Sequence, residues 1–418
     1  MAGRQLTLKN CKYVLVDKAN MLENVDVLIE GDTIVEVGKG LGGGDELDCR
    51  NCVVMPGLAN AHTHAAMWIF RGLFDREELP QWLSAVERAE EKLTPEIVEL
   101  ASKAAIMEML SSGTTLFVDM YLYPEATAKA SSELGIRAAM GPVINDKVVE
   151  EGRAEKLVTD LLGAAPPNVT TIINVHTTYT ASEEALKTAA KLSQKMGLNL
   201  QLHVSETRQE VYKIKKEKGV FPVEYINKLG ALTNRTLLVH MGWVTSWELS
   251  LVKKAGATVV HCPASNMKLA TGGFLPLVEM LNSGMNVALG TDGAASNNSL
   301  DMFREMKTAV LLHRNSYWRT DIGAPEVFEM ATLGGYRALG LKGGRVAKGY
   351  LADLALLDAA SPRLRPLRRS NVLSNLVYSA CGCDVYATIV GGHIAYIRNE
   401  EFKEKISEIA EQLEQIDF

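Results

Sequence analysis

The sequence predicts an α/β protein: a (β/α)8 TIM barrel with a small β-sandwich domain formed from both chain ends. Eight apolar, strand-like runs lie between residues 53 and 292, and each is followed by a stretch with helical periodicity. Eight strand–helix units are the number that closes a TIM barrel. Short alternating runs before and after this region are typical of antiparallel strands, so we expect the two ends to share a second, smaller domain.

The elements follow in a regular order along the chain. The first 55 residues contain the alternating runs KYVLVD, VDVLIEG and TIVEVG, interrupted by the Gly-rich stretch GKGLGGGDE. The predicted barrel strands are VVMPGLANAH, TTLFVDM, IRAAMGPV, TTIINVH, NLQLHV, TLLVH, ATVVH and NVALGTD. The intervening helices are capped by Ser or Thr before and Gly after, as in SEEALKTAAKLSQKMG.

The late part of the chain returns to short strands, ADLALLD, ATIVGG and HIAYI. We therefore assign residues 1–55 and 345–400 to the β-sandwich domain and residues 56–344 to the barrel. Residues 401–418 are predicted to form a C-terminal amphipathic helix, whose charged residues face solvent.

Composition excludes several classes of protein. With 47% hydrophobic and 22% charged residues the chain is globular, and its net charge of −6 is dispersed, which predicts neither a nucleic-acid nor a membrane partner. The N-terminus does not have the pattern of a signal peptide, and we expect a cytoplasmic protein. Cys49 and Cys52 form a CxxC pair without a second one, so core packing is favoured over a metal or redox role.

Ionisable residues concentrate at the predicted strand ends. Six of the eight histidines lie there, which random placement would not produce. In a TIM barrel the carboxyl ends of the strands form the active-site face. The strand-end residues are His62 and His64 for the first strand, His176, His203, His240 and His261 for the fourth to seventh, and Asp292 for the eighth.

Four of these residues have the chemistry of a metal site. An H-x-H sequence on a strand projects both rings to one side, so His62 and His64 can share an ion. Adding His203 and Asp292 gives three imidazoles and one carboxylate, a set that suits one divalent ion, Zn²⁺ in preference to Fe²⁺. No lysine occurs near the end of the fourth strand, where His176 stands, so the bridging carbamylated lysine of a two-metal site is missing.

Glu206 is a candidate for proton transfer. It lies three residues after His203, close enough to face the same cavity, where a carboxyl group can carry a proton to a substrate nitrogen. Alternatively, Glu206 is the N-terminal acid of the helix that follows, where it would interact favourably with the helix dipole.

Eight segments carry a family resemblance that extends from about residue 53 to residue 395. They are PGLANAHTHAAM, WL followed by ERAEEKLTPE, SGTTLFVDMY, HTTYTAS, HVSET, HCPASNMKL, LGTDGAASNNSLDMFREM and GRVAKGYLADLALLD. In these segments the chain resembles the amidohydrolase superfamily, specifically its single-metal 5′-methylthioadenosine/S-adenosylhomocysteine deaminase branch.

The resemblance implies a role for each site residue. The metal ligands it implies are His62, His64, His203 and Asp292. Glu206 would shuttle a proton to the purine ring nitrogen, His240 would hydrogen-bond the attacking hydroxide, and His176 would meet the far side of the purine. Glu90 would bind the ribose hydroxyls, with Glu87 and Glu91 as alternatives because this segment is one residue shorter than the family pattern.

One departure from the family pattern concerns the 5′ end of the substrate. Relatives that bind the homocysteine carboxylate have an arginine just after the third strand, where this chain has Pro142. Arg153 matches a second family arginine and either compensates or is a solvated cation at a helix start. The departure favours an uncharged 5′ group, which Met67, Trp68 and Trp82 would line unless they belong to the core or an interface.

The resemblance implies hydrolytic deamination of an adenosine-type nucleoside to the inosine-type product and ammonia. The substrates it implies are 5′-methylthioadenosine, S-adenosylhomocysteine, 5′-deoxyadenosine and adenosine. In this reaction Asp292 would accept the water proton and pass it to the leaving amine. An aminohydrolase acting on guanine, another free base or a triazine is one alternative, and a non-catalytic nucleoside-binding or scaffold protein is another. We also expect a homo-oligomer, a dimer or tetramer.

Overall fold

The computed structural model describes residues 4–418 and contains strands and helices in alternation. The strands are β1 (Gln5–Leu15), β2 (Met21–Glu30), β3 (Thr33–Gly38), β4 (Asp45–Asp48), β5 (Cys52–Pro56), β6 (Leu58–His64), β7 (Thr114–Asp119), β8 (Arg137–Met140), β9 (Val169–Thr171), β10 (Ile173–Thr177), β11 (Leu200–Val204), β12 (Thr236–His240), β13 (Thr258–His261), β14 (Val287–Leu289), β15 (Asp292–Gly293), β16 (Leu354–Asp358), β17 (Val385–Val390) and β18 (His393–Ile397).

The helices lie mostly between successive strands. They are α1 (Leu79–Glu90), α2 (Pro95–Ser111), α3 (Pro124–Leu134), α4 (Glu151–Ala164), α5 (Glu183–Met196), α6 (Arg208–Lys218), α7 (Pro222–Lys228), α8 (Ser246–Ala255), α9 (Pro263–Lys268), α10 (Leu277–Asn282), α11 (Ala294–Asn297), α12 (Met302–Tyr317), α13 (Ala324–Ala331), α14 (Leu333–Ala338), α15 (Val372–Tyr378) and α16 (Glu400–Glu414). Short 3-10 helices span Ala65–Phe70, Pro362–Leu364 and Gly382–Asp384.

Both chain ends contribute to one eight-stranded sheet. Its strand order is β18-β17-β16-β5-β1-β2-β3, with β4 paired to β1. Apolar side chains from both ends, including Leu8, Val54 and Leu356, form its buried core, to which Cys49 and Cys52 also belong. The two ends therefore join as the sequence predicts, whereas the folding of this sheet into a sandwich stays a prediction.

The central region forms two five-stranded parallel sheets. Their orders are β15-β6-β7-β8-β9 and β10-β11-β12-β13-β14. A parallel bridge between Val143 and Asn174 links the segment after β8 to β10. Because all of these strands run parallel, their carboxyl ends meet at one edge, where the predicted site residues lie.

Three of the predicted barrel strands are divided in the structure. The run VVMPGLANAH contains the end of β5, which pairs with β1 and β16, and then β6, which pairs with β7. Gly57 separates β5 from β6, and a Cβ there would lie 2.1 Å from the Thr115 hydroxyl oxygen. TTIINVH likewise contains β9 and β10, and NVALGTD contains β14 and β15.

The C-terminal helix α16 is amphipathic, as predicted. Its residues Ile409 and Leu413 are buried in an apolar cluster shared with α1 and α2, whereas its polar residues are largely exposed. The Phe418 ring contacts the Phe70 ring edge-on at a centroid distance of 4.9 Å. The end of the chain thus packs beside the 3-10 helix that follows β6. Among the described residues no helix is long and apolar enough to cross a membrane.

Candidate metal centre and active-site cavity

Four buried side chains converge at the carboxyl ends of β6 and β11 and at the start of β15. They are the predicted ligands His62, His64, His203 and Asp292, whose ligand atoms all lie within 4.8 Å of one another. The His62 Nε2 atom is 3.0 Å from His203 Nε2, and Asp292 Oδ1 lies 3.2 Å from His64 Nε2. The structure therefore brings together residues that are up to 230 positions apart in the chain.

The orientation of the three imidazoles indicates a bound cation. The Nδ1 atom of each ring faces an oxygen acceptor, so Nδ1 carries the proton and Nε2 a lone pair. Three lone pairs and a carboxylate oxygen around one point repel each other unless a cation lies between them, and the set fits one divalent ion. The acceptors are the Gln201 side chain for His62 at 2.5 Å, the Met120 carbonyl for His64, and the His176 carbonyl for His203 at 2.7 Å.

Asp292 is held in a constrained backbone conformation. Its φ of 63° lies in the left-handed region, which is unfavourable for most side chains. The Ser265 hydroxyl donates to Asp292 Oδ2 at 2.6 Å, which leaves Oδ1 directed at the imidazoles. The preceding backbone N–H of Thr291 donates to the Asn60 side chain at 2.9 Å. These contacts fix β15 against β6 and orient the carboxylate.

His240 is oriented as a hydrogen-bond donor beside the ligands. The Asn266 side-chain amide donates to His240 Nδ1 at 3.1 Å, so the proton of the neutral ring is on Nε2. His240 Nε2 lies 3.8 Å from Glu206 Oε1. The ring also stacks on His203 at a centroid distance of 5.1 Å. Its N–H can therefore reach an oxygen atom located between the ligands and Glu206.

Glu206 has a buried carboxyl group. Burial and, to a lesser extent, the Asp292 charge raise the pKa of Glu206 to about 8, and His64 opposes the rise. Such a carboxyl group is largely protonated at neutral pH and can donate a proton. Helix α6 begins only at Arg208, with the Thr207 side chain as its N-cap. The alternative that Glu206 serves as the N-terminal acid of this helix is therefore wrong.

The metal-ligand cluster opens into a cavity of about 320 Å³. This volume is typical of small-molecule sites, and its walls combine apolar side chains with a few polar groups. His176 forms part of the wall, and burial together with the nearby His64 lowers the pKa of His176 to about 4, so its ring is neutral. Other lining residues are Met67, Trp82, Glu87, Glu90, Tyr121, Tyr179, Glu206 and His240.

Comparison with known sequences identifies the family. The sequence model of the Amidohydrolase family matches residues 53–395. The chain belongs to the amidohydrolase family. It is 40% identical over 402 residues to a 5-methylthioadenosine/S-adenosylhomocysteine deaminase from Thermococcus onnurineus, covering 93% of this chain and 94% of that protein. It is 41% identical over 383 residues to a 5′-deoxyadenosine deaminase from Methanothermobacter thermautotrophicus, covering 88% of each.

A solved structure has the same architecture. An adenosine deaminase from Xanthomonas campestris with bound zinc superposes with a TM-score of 0.90 at 30% sequence identity. The match covers 99% of each chain. The amidohydrolase fold therefore includes the sheet formed by both chain ends as well as the parallel strands that carry the site.

Two of the three candidate ribose-binding acids line the cavity of this amidohydrolase. Glu87 and Glu90, one helical turn apart on α1, both lie in its wall. Burial raises the pKa of Glu90, and the neighbouring Tyr121 and His64 oppose the rise. Glu91 is exposed, follows the last residue of α1 and is absent from the cavity wall. The geometry thus supports Glu90, with Glu87 beside it.

The residues expected near the 5′ end are only partly brought to the cavity. Arg153 is exposed on α4, where it donates to the Lys147 carbonyl at 3.1 Å, and it is absent from the cavity wall. Met67 and Trp82 line the cavity. Trp68 instead is half-buried against the core and donates through Nε1 to Glu108 at 2.8 Å.

His261, for which the sequence indicates no role, does not line the active-site cavity. Its Nε2 is 3.1 Å from Nε2 of His313, and both rings are buried. Burial and the adjacent His313 lower the pKa of His261, which keeps the ring neutral. His261 ends β13, and neither histidine belongs to the ligand cluster.

Glu210 is a functional candidate that sequence reasoning missed. Its buried carboxylate accepts a hydrogen bond of 2.5 Å from the Thr178 hydroxyl and one of 2.9 Å from the backbone N–H of Glu206. A further bond comes from the backbone N–H of Ser205, a residue with a positive φ of 54°. Glu210 thereby joins the loops after β10 and β11 and fixes the backbone that carries Glu206.

We expect Glu210→Gln to lower kcat about 10- to 100-fold, because small displacements of a catalytic group have effects of this size. One oxygen of the carboxylate becomes an amide nitrogen, so the hydrogen bonds from the Thr178 hydroxyl and the two backbone N–H groups cannot all keep their present directions. The measurement is steady-state deamination with bound metal and thermal midpoint recorded in parallel. Glu217→Gln, on the exposed face of the same helix, is the matched control. An unchanged kcat would contradict the positioning role.

Proposed function

We propose that this amidohydrolase is a metal-dependent deaminase that converts adenosine-type nucleosides and water to the inosine-type product and ammonia. The observation that carries the proposal is the placement of Glu206 and His240 beside a cluster of three imidazoles and one carboxylate. Paired carboxyl groups, Glu87 and Glu90, line the same cavity. The deaminase relatives at about 40% identity support a purine nucleoside as substrate.

The donor set fits one divalent ion, for which we propose zinc, with ferrous iron as the alternative. Nitrogen and carboxylate ligands suit both ions, and the zinc bound to the Xanthomonas campestris adenosine deaminase favours zinc. His62, His64, His203 and Asp292 would hold it. When bound, such an ion lowers the pKa of a coordinated water from about 15.7 towards about 7 and so supplies a nucleophile at neutral pH.

The protein residues would move the protons that deamination requires. Glu206 donates a proton to the ring nitrogen beside the amino-bearing carbon, which makes that carbon electrophilic. Asp292 accepts a proton from the attacking water and later passes one to the leaving amine, which departs as ammonia. The second proton of that water returns to Glu206 as the carbonyl of the product forms. His240 donates a hydrogen bond to the attacking oxygen. His176, neutral and in the cavity wall, contacts the far side of the purine.

Recognition of the ribose distinguishes this proposal from an aminohydrolase that acts on free bases. We expect kcat/KM to be at least about tenfold higher for adenosine, 5′-deoxyadenosine and 5′-methylthioadenosine than for adenine, because a site built to hydrogen-bond hydroxyls discriminates against ligands that lack them. The measurement is ammonia release across these substrates, with guanine as a further base. Glu90→Gln should remove much of the difference. Faster turnover of the free bases would favour the alternative.

The finer architecture belongs to the same proposal. We infer that the two parallel sheets close into one eight-stranded barrel, because Val143 and Asn174 bridge one junction and β14 continues into β15 at the other. A sandwich fold of the sheet from both ends, assembly into a dimer or tetramer, and a cytoplasmic location remain predictions.

A further inference from the structure

Helix α12 carries a buried carboxylate that the proposed mechanism does not use. Glu305 lies in the first turn of this helix, and only 1% of its surface is exposed. It does not line the active-site cavity. Because a buried carboxylate is unfavourable unless its oxygens accept hydrogen bonds, the donors around Glu305 indicate what it holds in place.

Both carboxylate oxygens of Glu305 face donors on loops that follow strand ends. Oε1 accepts a hydrogen bond from the Asn297 side-chain amide on α11. Oε2 accepts a longer one, 3.5 Å, from the backbone N–H of Ala264 on α9. Helix α9 follows β13, and α11 follows β15. One carboxylate on α12 therefore connects the loops of two strands.

The loop that contains α11 begins with the ligand Asp292. The Asn297 amide that donates to Glu305 also donates to the Thr291 carbonyl at 2.8 Å, directly before Asp292. Since the φ of Asp292 is 63°, its backbone needs contacts of this kind to keep its conformation. The contact between Glu305 and Asn297 thus fixes the backbone from which the ligand projects.

Helix α9 carries the residues that orient the Asp292 side chain and the His240 ring. Ser265 donates to the Asp292 carboxylate at 2.6 Å. Asn266 donates to His240 Nδ1 at 3.1 Å. Both residues directly follow Ala264, whose N–H faces the α12 carboxylate. A shift of α9 relative to α11 would therefore misdirect both hydrogen bonds.

We propose that Glu305 is a positioning residue of the metal centre. It holds α9 and α11 in one arrangement, and so directs the Asp292 carboxylate at the ion and the His240 N–H at the attacking oxygen. Glu305 has no hydrogen bond to a ligand and acts only through Asn297 and Ala264. The inference deepens the proposed function and rests on it for the role of His240, whereas its effect on the metal can be measured without catalysis.

The test measures how tightly the full-length protein holds zinc. Zinc-loaded protein is equilibrated with a chromophoric zinc chelator, whose colour gives the dissociation constant. Glu305→Gln replaces one acceptor oxygen by an amide nitrogen and should raise this constant about tenfold, the lower end of the range for residues that support metal ligands. Asn297→Ala removes the same contact from α11 and should have a similar effect. In the double variant the two effects should not add, because both remove one contact.

Kinetics and a matched control distinguish positioning from general destabilisation. With saturating zinc, kcat for 5′-methylthioadenosine should fall about tenfold in both variants while KM changes little, because the purine does not contact Glu305. The control is Glu248→Gln, which alters another buried glutamate whose donors belong to α7 and the start of α8. It should lower the thermal midpoint and leave the zinc dissociation constant unchanged.

The outcomes separate this inference from the proposed function. Zinc affinities equal to wild type in Glu305→Gln and Asn297→Ala overturn the inference, as do an equal loss in Glu248→Gln or additive losses in the double variant. If Glu305→Gln does not fold, the zinc affinity of Asn297→Ala decides. If zinc-loaded wild type keeps its ion but releases no ammonia from any nucleoside, the proposed function fails, and the zinc affinities still decide the role of Glu305.

Discussion

Glu206→Gln is expected to lower kcat by about 10²–10⁴-fold while the protein stays folded, because proton transfer by a positioned carboxyl group contributes a factor of this size. The carboxamide has nearly the same shape but cannot transfer a proton to the ring nitrogen. The carboxyl group of Glu206 receives no hydrogen bond within the described residues, so the substitution deprives no neighbouring donor of its acceptor. Steady-state deamination of 5′-methylthioadenosine measures the effect.

Bound metal and substrate affinity serve as the controls for this variant. Glu206 is not a member of the ligand cluster, so the metal content of Glu206→Gln should equal that of wild type. The KM for 5′-methylthioadenosine should change much less than kcat. A variant that keeps its metal and most of its turnover would rule out Glu206 as the proton donor, whereas loss of the metal would show a structural role.

The four residues of the candidate metal centre could be predicted to lie together because their signal is local. Each ligand ends an apolar run, and the carboxyl ends of parallel strands meet at one edge of the sheet whatever the exact pairing. The two histidines of the HTH sequence are two residues apart on a strand, so their side chains project to the same face. Gln201 follows the same rule. It precedes His203 by two residues, so the sequence predicts that both side chains lie on one face of the strand. Gln201 contacts His62 on that face, but a single polar residue in a strand is a weaker sign of a site than a histidine.

Other contacts depend on packing that no local pattern shows. Ser265 and Asn266 are on the short helix α9, and which of them faces Asp292 or His240 is set by how that helix meets β15 and β12. Glu210 resembles an ordinary acid in the first turn of a helix, and only the approach of Thr178 gives it a further function. The loop after a strand is therefore less predictable than the strand end.

The divided strands illustrate the same limit for the fold. VVMPGLANAH is buried along its whole length, so its apolar run continues through the point where the chain passes from one sheet to the other. The break is at Gly57, where the Thr115 side chain leaves no space for a Cβ. This contact joins residues far apart in sequence. Hydrophobic periodicity thus predicts that a segment is a strand but not which sheet it joins.

Asp292→Asn is expected to abolish turnover to the limit of detection, a loss of at least about 10⁴-fold, because in the proposed mechanism this one residue is both a metal ligand and the acceptor of the water proton. The amide removes the negative charge that balances the ion among His62, His64 and His203. Elemental analysis should find about one divalent ion per wild-type chain and clearly less in the variant. A consistent value of two ions per wild-type chain would overturn the single-ion proposal.

Ser265→Ala provides a graded comparison for the same carboxylate. It removes the 2.6 Å hydrogen bond to Asp292 Oδ2 together with the 2.9 Å contact to the Ser296 hydroxyl, and it leaves the ligand in place. Loss of such a supporting contact typically lowers metal affinity or activity about 10- to 100-fold. We therefore expect Ser265→Ala to be less active than wild type, and Asp292→Asn to be less active still. Excess zinc should restore the activity of Ser265→Ala but not that of Asp292→Asn. Equal activity of Ser265→Ala and wild type would argue that backbone strain at Asp292, not this hydrogen bond, orients the carboxylate.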